Sequence, residues 1–334
     1  MSTQDKVEPT QDKSVASANA VVRRASDHVD DTPPRSRWFA LQHRYAPYLF
    51  LLPFLIIFAT FGIYPIVKSL ILSLYATNGP KDQIFVGLSN FRFLLSDPEF
   101  HTAVWNTAVF AFWSVFLQLP LALGLAMLLS AKWLKGREFL RLAFFSPHLV
   151  GQAFVAVLFM VLFVPQYGLI NNGLHAVSPQ IPLDMKWLSE AGLVMPALVL
   201  TSLWMYVGFN MIYFLAALQA VDRELYEAAM VDGANAWHQF WAVTLPGIRP
   251  VAVFVLVTAT IGSFQLFELP FIMLNNGGGP NNAGLTIVMY LYRTGFETGD
   301  LGYASAIGWT LALGVMAISL IQMRLTGVWK RGGE

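Results

Sequence analysis

The chain has 334 residues, of which 56% are hydrophobic and 12% are charged, and its formal net charge is +1. Soluble domains carry about 45–50% apolar and about 25% charged residues, so this composition is that of a membrane protein. The near-neutral charge gives no indication of a nucleic-acid or acidic partner. The absence of cysteine excludes disulfides, thiolate nucleophiles and cysteine-based metal sites.

The N-terminal region is expected to be a tail outside the membrane. Residues 1–37 are polar, mixed in charge and poor in large apolar residues, so we predict a disordered tail over residues 1–44. The first apolar stretch begins near Tyr45, too late and too long for a cleavable signal peptide, and is predicted to be a retained anchor.

Six segments are long and apolar enough to cross a bilayer, which takes about 20 helical residues. They are residues 48–75, 102–130, 139–164, 193–220, 248–274 and 301–325. The prediction is therefore an all-α polytopic membrane protein with a six-helix domain over residues 45–326 and a short C-terminal tail over 327–334. An even number of spans places both termini on the same side.

The distribution of lysine and arginine predicts which side that is, because these residues accumulate on cytoplasmic loops. One set of loops and termini carries twelve: Arg35, Arg37, Arg44, Lys132, Lys135, Arg137, Arg141, Arg223, Arg249, Arg324, Lys330 and Arg331. The opposite set carries four: Lys81, Arg92, Lys186 and Arg293. We therefore expect both termini and the loop 222–250 in the cytoplasm.

The predicted outer loops, near residues 77–101, 165–191 and 275–300, are rich in Gly, Pro and Asn, which favour turns. Short interfacial helices are expected near residues 91–95 and 286–296. Prolines inside the spans, at positions 53, 65, 120, 147 and 270, should bend helices. They indicate either a bundle with a central cavity or the ordinary tolerance of membrane helices for proline.

The segment 222–250 is polar and helix-forming, although it lies between two apolar spans. Asp222 is placed to cap a first helix, and Gly233 can adopt the left-handed conformation that ends it. A second helix over residues 236–243 should end where Pro246 and Pro250 break the chain before the fifth span. The segment either contacts another protein or lies as a helical hairpin on the lipid surface.

The order Glu227-Ala228-Ala229, then Gly233, then Leu245-Pro246 resembles the "EAA" loop of binding-protein-dependent ABC importer permeases. The resemblance to the carbohydrate-uptake type (MalF/UgpA-like sugar permeases) extends over about residues 47–325. Its further motifs are Pro47-Tyr48-Leu49-Phe50-Leu51-Leu52-Pro53 with Tyr64-Pro65, Phe85-Val86-Gly87-Leu88 with Asn90-Phe91, Asn106-Thr107, Gly168-Leu169-Ile170-Asn171 with Trp187-Leu188, Gly277–Pro280 with Tyr290 and Tyr292, and Gly302-Tyr303-Ala304-Ser305-Ala306. Asn275-Asn276 and Glu268 depart from that pattern, which weakens inference about the particular sugar.

The resemblance implies the type I ABC importer transmembrane fold in a bacterial inner membrane. It also implies four kinds of partner: a second, homologous permease subunit, two ATP-binding subunits that bind ATP and Mg²⁺, an extracytoplasmic solute-binding protein, and the sugar. The loop 222–250 would be the coupling helix that docks on an ATP-binding subunit. The residues at the matching positions are Glu227, Ala228, Ala229, Asp232 and Gly233.

A sugar pathway needs polar groups in the membrane, since an unpaired hydroxyl costs about 2–7 kcal/mol there. The resemblance places this pathway on the fourth and fifth spans. The candidates are Ser202, Trp204, Tyr206, Asn210, Ser263, Gln265 and Glu268. The alternative for each is hydrogen bonding between helices. Glu268 could line the pathway or cap a break at Pro270, and Lys68 could line it or reach the membrane surface.

No catalytic residues, metal or cofactor are expected in this chain. It has no Gly-Lys dipeptide, so it lacks the phosphate-binding loop of ATPases, and its six histidines show no metal-ligand spacing. An importer of glycerol 3-phosphate or a related compound is an alternative, but it should carry basic residues in its spans. An ion-coupled secondary transporter or a membrane-bound enzyme is less consistent with the sequence, which shows neither paired intramembrane acids nor a catalytic constellation.

Overall fold

The computed structural model describes residues 37–79, 82–131 and 133–327, and it divides into two units, Met1–Ile66 and Val67–Glu334. In the first unit, helix α1 (Arg37–Phe58) is followed by a π-helical turn (Ala59–Ile63) and by the start of α2 (Tyr64–Leu72). Residues 37–44 are therefore helical instead of disordered, because arginine, alanine, leucine and glutamine there favour helix. The rest of the predicted N-terminal tail, and residues 328–334, lie outside the described residues.

The second unit is helical apart from one small hairpin. In chain order it contains β1 (Tyr75–Asn78), β2 (Asp82–Phe85), α3 (Ser89–Leu94), α4 (Pro98–Ser130), α5 (Arg137–Leu149), α6 (Gln152–Leu162), α7 (Leu169–Val177), α8 (Ala191–Ala220), α9 (Arg223–Val231), α10 (Ala236–Gln239), a π turn (Phe240–Thr244), α11 (Leu245–Phe264), α12 (Glu268–Met273), a 3₁₀ turn (Pro280–Asn282), α13 (Ile287–Tyr292), a π turn (Arg293–Glu297) and α14 (Leu301–Leu325).

Within the described residues, five helical stretches are long and apolar enough to cross a membrane, namely Tyr48–Leu72, Pro98–Ser130, Ala191–Ala220, Ala236–Met273 and Leu301–Leu325. The third predicted span is different, because α5 and α6 meet at an angle of 101°. Between them Val150 and Gly151 are extended, and Pro147 lies in the last turn of α5. The prediction of one continuous helix over 139–164 is therefore wrong.

The predicted outer loops contain more structure than the sequence indicated. Strands β1 and β2 pair antiparallel, with Tyr75 opposite Phe85 and Asn78 opposite Asp82. Helices α3 and α13 lie where short interfacial helices were predicted, whereas α7 was not expected. The first and last of these loops join through Thr77, whose hydroxyl donates to Asp300 and accepts from the N–H of Gly302.

Two π turns precede prolines at the same spacing, one ahead of Pro65 and one ahead of Pro246. Proline has no N–H to donate, so it interrupts the hydrogen-bond ladder of an α-helix. In the second case the N–H of Leu245 bonds the carbonyl of Phe240, which is the five-residue spacing of a π turn. The helix therefore continues from α10 into α11, and the predicted break at Pro246 and Pro250 does not occur.

Three groups of buried apolar residues hold the second unit together. One joins α4, α6, α8 and α12 around Phe110, Phe159 and Leu269. A second joins α3, α4, α13 and α14, and a third joins α4, α8 and α11 around Met211 and Ile248. Helix α4 takes part in all three, so it is the central helix of this unit.

A buried carboxylate fixes the N-terminal ends of α4 and α14. Asp97 is 5% exposed, and its Oδ2 accepts hydrogen bonds of 2.5 Å from the hydroxyls of Tyr290 and Tyr303. Burial by itself would raise the pKa of Asp97, but these hydroxyls and the N–H groups of Glu99 and Phe100 lower it below its usual value. Burial and the Asp97 carboxylate raise the pKa of Tyr290. Asp97 is therefore ionised near neutral pH and connects the start of α4 to α13 and α14.

We expect Asp97→Asn to lower the free energy of unfolding by about 1–3 kcal/mol, because an uncharged amide has one acceptor oxygen and cannot serve both the two tyrosine hydroxyls and the N–H of Glu99. A lowered pKa means that the carboxylate stabilises the fold above its unfolded pKa and loses this effect as the pH falls through the folded value. The difference in thermal unfolding between wild type and variant should therefore be constant near neutral pH and shrink below about pH 4. An unchanged difference at low pH would contradict this role.

Candidate functional site

A cavity of about 150 Å³ lies between α4, α6, α8 and α11. Its lining consists of Phe110, Gln118, Gln152, Ser202, Tyr206, Phe209, Asn210, Thr258, Ala259, Gly262, Ser263, Gln265 and Leu266. These side chains supply amides, hydroxyls and aromatic rings but no charged group. The cavity is thus suited to a neutral, hydrogen-bonding molecule inside a membrane.

The cavity brings together five of the seven residues predicted for a pathway: Ser202, Tyr206, Asn210, Ser263 and Gln265. The first three are four residues apart on α8, so they project from one face of that helix. The side chains of Ser202, Asn210 and Ser263 make no hydrogen bond to other described residues, although each is buried. This observation favours contact with a cavity ligand over bonding between helices.

The other two predicted pathway residues lie elsewhere. Trp204 is 42% exposed and packs edge-on against Phe159 with ring centroids 5.5 Å apart. Two residues from Ser202, it faces the opposite side of α8 because each helical residue turns about 100°. Glu268 is the exposed first residue of α12, outside the cavity lining, and the chain breaks before it instead of at Pro270.

Sequence reasoning missed several lining residues, above all the amides of Gln118 on α4 and Gln152 on α6. Gln152 donates a hydrogen bond to the hydroxyl of Tyr206 across the cavity. Each glutamine lies inside an apolar span, and such an uncharged polar group was the signal that could have identified it. Their assignment to this cavity depends on how α4 and α6 pack against α8, which the sequence alone does not show.

Both interruptions of the spanning helices border the cavity. The first is the bend at Val150 and Gly151, directly before Gln152. The second lies between α11 and α12, where Gln265 and Leu266 line the cavity. Each break places backbone that is free of regular helix bonding beside a polar cavity, where it can be tolerated in a membrane.

The first helix of the segment 222–250 ends as the sequence predicts. Gly233 has φ +80°, its N–H bonds the carbonyl of Met230 at 3.0 Å, and the N–H of Ala234 bonds the carbonyl of Ala229 at 2.9 Å. This pair of bonds is a Schellman motif, which satisfies the last carbonyls of a helix. Ala229 and Gly233 thus contribute to the same turn.

The other end of α9 differs from the prediction. Asp222 occupies the position before the helix, with extended backbone at φ −64° and ψ 132°, but its side chain accepts no bond from the next turn. The conformation is right for a cap, but the carboxylate does not reach the N–H groups of the next turn. The N-terminus of α9 is therefore left without a side-chain acceptor.

The second helix of this segment does not end near residue 243 as predicted, because the π turn from Phe240 continues it into α11. Asn235 caps α10 by accepting from the N–H of His238 at 2.9 Å. The hydroxyls of Tyr226 and Thr244 lie 3.0 Å apart, so a hydrogen bond connects α9 to the π turn. Helix α9 is thereby held against the start of the long helix that runs from α10 into α11.

The segment exposes apolar side chains beside the predicted coupling residues. Glu227, Ala228, Asp232 and Gly233 are exposed, and Ala229 is half-buried. The exposed apolar residues are Leu225, Met230, Val231, Trp237 and Trp241. Such a group on a polar loop marks a surface that contacts a protein or a membrane.

Residues 36–331 match the family model described as binding-protein-dependent transport system inner membrane component. The chain belongs to this family. The predicted resemblance, the helical membrane fold and the location in an inner membrane are thereby confirmed. Among the described residues, no group of three or more His, Asp or Glu is placed to hold a metal ion.

Relatives within the family carry names of sugar and glycerol-phosphate transport systems. The chain is 38% identical to the arabinooligosaccharides transport system permease protein AraP of Bacillus subtilis, covering 86% of this chain and 90% of the relative. It is 34% identical to the lactose transport system permease protein LacF of Rhizobium radiobacter, and the match covers 82% of this chain and 92% of the relative. It is also 34% identical to the sn-glycerol-3-phosphate transport system permease protein UgpA of Salmonella typhimurium, and the match covers 87% of this chain and 94% of the relative.

A solved structure has the same fold. One chain of a bacterial alginate ABC transporter, in complex with an alginate pentasaccharide-bound periplasmic protein, matches with a TM-score of 0.76 at 24% identity. The match covers 90% of this chain and 100% of that chain. At this identity the comparison establishes the architecture of the family member and leaves its substrate open.

Proposed function

We propose that this chain is a permease subunit of an ATP-driven importer for a neutral sugar or oligosaccharide, and that it forms half of the translocation pathway. The observation that carries the proposal is the uncharged cavity lined by Gln152, Ser202, Tyr206, Asn210 and Ser263. Its amides and hydroxyls match the alternating donors and acceptors of a sugar, and its two phenylalanines supply apolar faces.

The relatives named for arabinooligosaccharides and lactose support a sugar, whereas the relative named for glycerol 3-phosphate supports the alternative. A phosphate would need cationic partners, because an unpaired charge is very costly in a membrane. The described lining of the cavity contains neither lysine nor arginine. This absence favours a neutral substrate.

The subunit would act with a second, homologous permease, two ATP-binding subunits that hold ATP and Mg²⁺, and an extracytoplasmic solute-binding protein. Its termini and segment 222–250 would lie in the cytoplasm, as the lysine and arginine distribution predicts. Glu227, Ala228, Ala229, Asp232 and Gly233 would then contact an ATP-binding subunit. The exposed apolar residues around them supply the buried area that such a contact needs.

Transport would alternate between two packings of the helices around the cavity. The breaks at Gly151 and at Gln265–Phe267 are the places where a change in backbone direction costs least, since helix bonding is already interrupted there. Both breaks border the cavity. A movement of α11 would therefore alter the cavity lining directly.

The experiment is ATP hydrolysis by the assembled complex with its binding protein, measured against a panel of neutral sugars and glycerol 3-phosphate. We expect a neutral sugar to stimulate hydrolysis and glycerol 3-phosphate to have no effect. Stimulation by glycerol 3-phosphate alone would establish the alternative. Uptake that persists after cellular ATP is exhausted would exclude the ATP-driven mechanism.

We expect Asn210→Leu to lower the uptake rate about tenfold or more, because a sugar hydroxyl left without a partner costs about 1–3 kcal/mol. Leucine has a similar size, and Asn210 has no hydrogen bond to other described side chains, so the fold should be retained. The matched control is Thr201→Val on the same helix, whose hydroxyl bonds the carbonyl of Ala197 and lies outside the cavity lining. Equal uptake rates for both variants would remove Asn210 from the pathway.

A further inference from the structure

A second cavity, of about 1180 Å³, lies where the C-terminal ends of α4 and α8 meet the N-terminal ends of α5 and α9. Residues 236–244 close one side of it. Its lining includes Arg137, Arg141 and Arg223, and we refer to it as the arginine cavity. It lies outside the cavity lined by Ser202 and Tyr206. The proposed function assigns no role to its three arginines, although Glu227 in its lining belongs to the proposed contact with an ATP-binding subunit.

The arginine cavity carries an excess of positive charge. Its lining contains three arginines and one acid, Glu227, and counting Glu138, which pairs with Arg141 at 2.8 Å, still leaves a net charge of +1. In the described part of the chain, no carboxylate lies within 4.0 Å of the guanidinium of Arg223. The Nε of Arg137 lies 3.6 Å from Oε1 of Glu138, and the Arg137 side chain is 43% exposed. Its guanidinium therefore keeps donors for another partner.

Two helices begin beside the same cavity. Arg137 is the first residue of α5 and Arg223 is the first residue of α9. Gly136 has no side chain to cap α5, and Asp222 makes no capping bond to α9. The free N–H groups and the positive ends of both helix dipoles therefore add to the guanidinium charges, an arrangement that favours anions.

Arg141 supplies a third, mostly buried guanidinium beside the cavity. Arg141 uses one terminal nitrogen on Glu138 and the other on the carbonyl of Leu129 at 2.9 Å. Its Nε is buried and has no partner among the described residues, and its side chain is 17% exposed. Arg141 is thus held by its two terminal nitrogens in a mostly buried position, where its charge adds to that of the other two arginines and favours an anion in the cavity.

We propose that the arginine cavity binds a phosphate group. A phosphate presents several strong acceptor oxygens, and arginine can engage two of them at once. The source is either the headgroup of an anionic lipid, since the cavity lies at the ends of the spanning helices α4 and α8, or a phosphate in solution. A bound phosphate would connect α5 to α9.

The test uses the purified full-length chain in a neutral detergent, with short-chain phosphatidylglycerol, short-chain phosphatidylcholine and inorganic phosphate as probes. Thermal unfolding gives the apparent affinity for each probe. We expect phosphatidylglycerol or inorganic phosphate to raise the unfolding temperature, and phosphatidylcholine to have a much smaller effect. The double variant Arg137→Gln/Arg223→Gln should bind at least about tenfold more weakly, because it loses charge-assisted bonds.

The control is Lys135→Gln, which removes one positive charge from an exposed position outside the cavity lining and is matched by the single variant Arg223→Gln. Binding of phosphatidylglycerol alone assigns the site to a lipid headgroup, and binding of inorganic phosphate assigns it to a soluble phosphate. If the double variant does not fold, Arg223→Gln serves instead, because Arg223 is exposed and unpaired. The proposal fails if neither anion binds, or if the arginine variants and Lys135→Gln bind equally well. Transport is not measured, so this result is independent of the proposed function.

Discussion

Replacing Gly208 with alanine is expected to prevent the folded subunit from accumulating in the membrane. A Cβ at this position of α8 would lie 1.7 Å from the carbonyl oxygen and 2.4 Å from the carbonyl carbon of Phe144 on α5. Both are backbone atoms of a neighbouring helix, so α5 and α8 would have to separate. We expect a loss of more than about 3 kcal/mol of stability, above the usual cost of overpacking.

The measurement is the amount of subunit in the membrane fraction and its unfolding temperature in detergent. The matched control is Gly124→Ala on α4, where a Cβ would meet no atom within 4 Å and alanine favours helix. We expect the control to accumulate like wild type. A Gly208→Ala subunit with normal abundance and unfolding temperature would show that α5 does not pack on α8 in this way.

The second large effect is expected at the end of α9, where Gly233→Val or Glu227→Lys should abolish uptake while the subunit stays in the membrane. Gly233 has φ +80°, and no atom lies within 4 Å of the position that a Cβ would occupy, so valine would introduce backbone strain but no clash. That strain would disturb the turn between α9 and α10, where the proposed contact with an ATP-binding subunit lies. Glu227 is exposed, so reversing its charge should change a contact with a partner and leave the fold intact.

The measurements are uptake by cells, subunit level in the membrane, and ATP hydrolysis by the complex. The control for Gly233 is Gly87→Val, which imposes the same kind of strain at φ +58° in open space on a predicted outer loop. We expect this control to retain transport. Normal uptake by both Gly233→Val and Glu227→Lys would remove the coupling assignment.

Hydropathy predicted the positions of the spanning helices along the chain well, but it did not predict where those helices bend or continue. The stretch 139–164 is apolar on average, and its composition could not reveal the bend at Gly151. The opposite error occurred at Pro246, where proline predicted a break and the π turn before it kept the helix intact. In both cases the outcome depends on backbone hydrogen bonding, which composition does not encode.

The candidate cavity could be predicted where one helix supplied the pattern. Ser202, Tyr206 and Asn210 follow each other at four-residue spacing on α8, so their common face was readable from the sequence. Gln118 and Gln152 could not be assigned, because their approach to α8 depends on packing between distant parts of the chain. Trp204 was included among the pathway residues because its aromatic ring could contact a sugar. On α8 it lies on the side opposite Ser202 and does not line the cavity.

Several motif residues that carried the family resemblance hold the fold together. Asn90 donates to the carbonyls of Ser73 and Tyr75, and Asn106 donates to those of Asn282 and Leu285. Asn171 donates to Leu183 and Met185 and accepts from the indole of Trp187 at 2.6 Å. Each amide satisfies loop carbonyls that would otherwise be buried without a partner. These motifs therefore predict the architecture better than they predict the substrate.

The uninterrupted helix from Ala236 to Phe264 has a mechanical consequence. It contains 29 residues, π turn included. At a rise of 1.5 Å per residue it forms a lever about 43 Å long, so a tilt of about 5° about one end displaces the other by about 4 Å. Gln265 follows the far end of this lever. A pivot of a few degrees about the Ala236 end would therefore change which groups of the cavity the Gln265 side chain can reach.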